Sequence, residues 1–77
     1  MIGTEVKRRI NENNLVIAEV VINRFKGDEL IEKNEFTIMQ IKARRWKIYK
    51  DKKFFCYCKA NSFENLINIL ERFEFVE

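Results

Sequence analysis

Seventy-seven residues leave room for one domain and not for two. Hydrophobic residues at 47%, including seven Phe, two Tyr and one Trp, supply one compact core, and charged residues at 35%, scattered among them, exclude a disordered chain. The formal net charge is +3, and no apolar run nears the roughly 18 residues that a membrane span requires.

At the start, Met1-Ile2-Gly3-Thr4-Glu5 has no basic stretch followed by an apolar run, as a signal peptide would, and no Gly directly after Met1 for myristoylation. A cytoplasmic protein with no membrane partner is expected. Thr4 can cap a helix running to about Asn13, with Val6 and Ile10 one turn apart on its apolar side and Asn13-Asn14 as its end. Leu15 to Phe25 is rich in β-branched residues, with Val16, Ala18, Val20 and Ile22 alternating in phase, and reads as a strand with one face in the core. Lys26-Gly27-Asp28 supplies a turn. Leu30 to Asn34 fits either a helical turn or a short strand.

Phe36 to Ile41 is a strand by propensity, and its apolar parity slips by one near Ala43 to Arg45, which predicts a bulge, bend or break. Arg45 to Tyr49 and Lys53 to Lys59 form a hairpin across Lys50-Asp51-Lys52. Ser62 is a natural cap for a final helix. Phe63, Leu66, Ile67, Leu70 and Phe73 fall on its apolar side, and Glu64, Asn65, Asn68, Glu71 and Arg72 on the other. The expected fold is a single α+β domain over residues 1–77: an antiparallel sheet of three or four sequential strands, flanked by an N-terminal and a C-terminal helix. That order resembles the double-stranded-RNA-binding domain in topology alone. The lysines which that family carries at the start of its last helix have no counterpart in Ser62-Phe63-Glu64-Asn65, and no family is assigned.

The net charge conceals an asymmetry. Residues 42–59 carry eight basic side chains against the single Asp51, a local surplus of +7, whereas residues 1–41 sum to −1 and residues 60–77 to −3. Trp46, Tyr49, Phe54, Phe55 and Tyr57 are threaded through the same stretch. A three-residue connection opposes Tyr49 to Lys53. It then segregates Trp46, Ile48, Phe54, Cys56 and Cys58 on one face from Arg45, Lys47, Tyr49, Lys53, Phe55, Tyr57 and Lys59 on the other. A sheet face of cations around rings can stack bases while tracking phosphates. The same lysines could instead guard a sheet edge. The candidate contact residues are therefore Arg44, Arg45, Lys47, Tyr49, Lys50, Lys52, Lys53, Phe55, Tyr57 and Lys59.

Catalysis is not expected. The chain has no His for an imidazole base, and its two glycines cannot build a phosphate loop. Cys56 and Cys58, two apart on a strand, are too close for an unstrained disulfide and too few for a closed zinc site, so reduced, buried thiols with no metal and no cofactor are expected. Heavy use of Lys, Asn, Ile, Glu and Phe, all with AT-rich codons, suits the genome of a phage or other mobile element. The functional expectation is a non-enzymatic protein that engages an anionic partner, nucleic acid first, through residues 42–59. The alternative is a protein–protein modulator or inhibitor acting through that hairpin or an open sheet edge, with a second copy of the chain among its possible partners.

Overall fold

In the computed structural model, which describes residues 1–72, five strands follow one another as β1 (Ile2–Glu12), β2 (Leu15–Lys26), β3 (Glu29–Lys42), β4 (Arg45–Lys50) and β5 (Lys53–Lys59). A single helix, α1 (Phe63–Arg72), closes the described chain. The sheet is a wholly antiparallel meander in the order β1-β2-β3-β4-β5. Strands adjacent in sequence are thus adjacent in space, as the short connections imply. Among the described residues no helix is long and apolar enough to cross a membrane.

The N-terminal helix does not exist; those residues are an edge strand. The reason is a bulge. Val6 lies opposite Val20, then the register slips between Val6 and Arg8, and Ile10 lies opposite Ile17. The two apolar residues whose spacing of four suggested one helical stripe thus point to opposite faces of a sheet. Asn13 and Asn14 adopt φ of 53° and 64° and form a two-residue hairpin turn. A helix end and such a turn exploit the same tolerance of Asn for left-handed backbone, so this signal alone does not separate them. With β1 a strand, the sheet has five strands instead of three or four, and among the described residues α1 is the one helix that flanks it.

The remaining connections are also tight. Gly27, at φ 60°, occupies the first central position of the β2–β3 turn, as a type II′ hairpin requires. Leu30 to Asn34 resolves as strand, the early part of β3. The parity slip expected near residues 43–45 is present as a register shift between Gln40 and Lys42, followed by the Ala43-Arg44 turn.

One face of the sheet packs on α1. Ala18, Val20 and Ile22 of β2, Phe36 and Ile38 of β3, Trp46 and Ile48 of β4, and Phe63, Leu66 and Leu70 of the helix form one buried cluster. The alternation in β2 and the apolar helix side thus lie where the pattern put them; Phe73 lies outside the described residues. Trp46 donates its indole N–H to the Ala60 carbonyl at 3.1 Å. This satisfies the one polar atom of a side chain that is 1% exposed. The helix start is capped as expected: the Asn65 amide donates to Ser62 Oγ at 3.0 Å, while Asn65 Oδ1 accepts from the Asn61 amide. At its far end, Arg24 donates to the Glu71 carbonyl at 2.9 Å and Thr4 hydrogen-bonds the Glu71 carboxylate, tying the helix to β1 and β2.

Candidate nucleic-acid interface

The β4–β5 hairpin turns on two residues, not three. Asp51 and Lys52 sit at φ 50° and 69°, the left-handed pair of a type I′ turn, and Lys50 faces Lys53. The tip is anchored sideways, because the Asp51 amide donates to the Glu35 carbonyl at 2.8 Å, carrying the β3–β4 ladder into the turn. A two-residue turn alone would have inverted every side chain of β5 relative to the expected faces. A register shift opposite Ile48 and Tyr49 restores them after two residues: Tyr49 opposes Phe54, Ile48 opposes Cys56, Lys47 opposes Tyr57, Trp46 opposes Cys58 and Arg45 opposes Lys59.

The sequence-level faces therefore hold for most of the hairpin, and Phe54 and Phe55 exchange places. Phe54 lies on the outer face, its ring 6.2 Å from Tyr49 and 5.2 Å from Tyr57. Phe55 is the bulged residue, and its ring lies 6.5 Å from that of buried Phe36, on the helix side. Lys50 and Lys53 go with it, since Lys50 pairs with Phe36. Of the candidate residues, Arg45, Lys47, Tyr49, Tyr57 and Lys59 share the outer face. Arg44 and Lys52 flank it from the two turns.

The register also adds residues that the sequence did not single out for this face. Lys42 lies opposite Arg45, and Arg45 opposite Lys59, so three cations stand side by side across β3, β4 and β5. Two residues further along the strands comes the row Met39–Lys47–Tyr57, and two further still Thr37–Tyr49–Phe54. From β1 and β2, Arg8 and Glu19 extend the last row, and Ile10 and Ile17 the middle one. Recognising Asp51-Lys52 as a left-handed turn pair would have found the tight hairpin, whereas Asn13-Asn14 suits a helix end equally well. The bulge that exposes Phe54 has no such marker.

The rings are open and the cations are close. Phe54 is 52% exposed and Tyr57 55%. The Arg45 guanidinium lies 5.8 Å from the Tyr57 ring centre, and the Lys47 ammonium 5.3 Å from that of Tyr49 and 5.8 Å from that of Phe54. A hydrogen bond to Tyr49, together with the electrostatic influence of Tyr49 and Tyr57, holds the Lys47 ammonium above the usual lysine value despite some desolvation. It stays charged throughout the physiological range.

Other concavities have a different character. On the outer face near β1, a hollow of about 170 Å³ is lined by Lys7 and Lys52 against Glu19 and Glu35, so its charges balance. A hollow of about 100 Å³ lies between Arg8, Ile10, Ile17 and Thr37. On the helix side, an open groove of about 500 Å³ runs between Val6 and Arg9 of β1 and Phe63, Ile67 and Glu71.

Cys56 and Cys58 are free thiols facing the core cluster, half-buried where the sequence suggested full burial, and Cys58 Sγ donates to the Lys59 carbonyl at 3.7 Å. Desolvation pushes both above the usual thiol value, and for Cys56 its neighbour Cys58 adds to the effect. Both should therefore react slowly with a thiol reagent at neutral pH and speed up only in more alkaline buffer. A raised folded-state value also means that their contribution to stability is intact below the unfolded thiol value, about 8.5, and is lost as pH rises through the folded one. Reaction rates of the folded protein over a pH series, read beside those of the urea-unfolded chain, check this. Equal rates in the two states would contradict it.

No family model matches the chain, and no curated protein or solved structure shows significant similarity to it.

Proposed function

We propose that the protein is a non-enzymatic nucleic-acid-binding module whose interface is the outer face of β3, β4 and β5. The observation that carries this is the row Lys42–Arg45–Lys59 beside the rings of Tyr57, Tyr49 and Phe54. Like charges directly opposite one another on a sheet destabilise it. A polyanion lying along the row reverses the sign of that cost. Neighbouring rings offer faces on which bases stack irrespective of sequence. Surplus charge, open aromatics and their grouping on one face thus favour the same ligand.

The test is a salt series. If Lys42, Arg45, Lys47 and Lys59 meet four phosphates at about 0.7 counterions each, log K for a labelled oligonucleotide should fall against log salt with a slope of about −3. A flat response, or no binding in dilute buffer, would retire the proposal.

A second reading has its own support. Ile10 and Met39, each 37% exposed, flank Ile17 in the row that continues into Lys47 and Tyr57. Such an apolar strip suits a protein partner, or a second copy of the chain, better than it suits phosphates. Nuclease-resistant recovery of one stoichiometric protein from the native host would favour it.

A further inference from the structure

We infer that the interface takes single-stranded nucleic acid and excludes the duplex; this rests on the proposed function and narrows it. Two features of the sheet carry the inference.

The first is width. A two-stranded ribbon can enter a major groove about 12 Å across. The β4–β5 hairpin is no free ribbon: β4 pairs along its length with β3, and the Asp51 amide ties the tip to Glu35. Five strands at about 4.8 Å spacing span about 19 Å between the outermost two. The hairpin cannot project from that sheet into the groove, so the outer face meets its ligand as a surface.

The second is the order of the rows along the strands. Cations of the Lys42–Arg45–Lys59 row come first, then Lys47 with Tyr57, then Tyr49 and Phe54, with the opposed pair Glu19 and Arg8 in the same row as these rings and Glu35 one row beyond. At about 3.3 Å per residue, four residues separate the cationic row from the Glu19 row, about 13 Å. A duplex seated on the cations would set its second phosphate strand, about one groove width away, over the region where Lys7, Arg8 and Lys52 are offset by Glu19 and Glu35, so it would gain little attraction there. Its bases, stacked on each other, would leave Tyr57 and Phe54 with nothing to contact. A single strand avoids both penalties. Its phosphates follow the cationic row, and its unpaired bases reach along the strands to the rings.

The experiment measures, by anisotropy at one fixed salt concentration, the affinity of the full chain for a labelled oligothymidylate and for a blunt mixed-sequence duplex of equal length. The inference predicts at least tenfold tighter binding of the single strand. It further predicts that Tyr57→Ala weakens the single strand by roughly five- to 150-fold, the range for loss of one stacked base, and leaves the duplex affinity unchanged. A circular-dichroism melt confirms that the variant is folded, and Tyr57→Phe, which keeps the ring, should restore binding. Equal affinity for the two forms, or equal losses on both in Tyr57→Ala, overturns the inference and leaves the proposed function standing. Absence of binding to either form overturns the proposed function itself.

Discussion

Trp46→Ala is expected to remove most of the stability of this fold. The side chain is 1% exposed, its ring centre lies 6.4 Å from that of Phe63, and its N–H is bonded to the Ala60 carbonyl. Truncating such a residue typically costs about 3–5 kcal/mol, transfer and cavity together. A 77-residue domain has only about 4–12 kcal/mol in total at the usual stability per residue. Trp46 also links β4, α1 and the segment between β5 and the helix, so no single neighbour can collapse into the space. Urea melts of the two proteins should show a much lower midpoint at nearly constant slope. A shift of less than about 1 kcal/mol would place Trp46 outside the core.

The second large effect separates two adjacent phenylalanines. Phe54→Ala should cost far less stability than a core truncation, because the ring is half in water and stands on the outer face. Under the proposed function it should weaken oligonucleotide binding by about 1–3 kcal/mol. Phe55→Ala should behave in the reverse way. Its ring lies 6.5 Å from that of buried Phe36 on the helix side but is 38% exposed, so stability falls moderately, by less than for a core Phe, while binding persists. Melts and binding curves of both variants decide between them. If Phe55→Ala loses binding and Phe54→Ala loses stability, the β4–β5 bulge is misplaced and the interface must be rebuilt around Phe55.

That pair also marks how far the sequence could be read. Even-numbered alternation in β2, the cap and apolar side of α1, and the opposition of Trp46, Ile48, Cys56 and Cys58 to Arg45, Lys47 and Tyr57 were all legible. Each follows from side-chain polarity, which a strand or helix converts directly into a face. The N-terminal strand and the position of Phe54 were not. Both depend on bulges, at Val6/Arg8 and at Ile48/Tyr49, which move the backbone by one residue without changing which side chains are apolar. A pattern of alternation cannot distinguish Val6 and Ile10 on one helical side from the same two residues on opposite faces of a bulged strand. The cationic row was half legible. Its charges were counted within residues 42–59, but their alignment across three strands depends on the register of two hairpins.

The proposed nucleic-acid interface is the outer face of β3 to β5, and its most direct test is an amide chemical-shift map. Isotope-labelled protein titrated with an unlabelled oligothymidylate should show its largest changes at Lys42, Arg45, Lys47, Tyr49, Phe54, Tyr57 and Lys59. Glu64 and Asn68 of the helix should stay still. Changes concentrated instead along the groove between β1 and α1, around Arg9 and Ile67, or the absence of change anywhere, would contradict it.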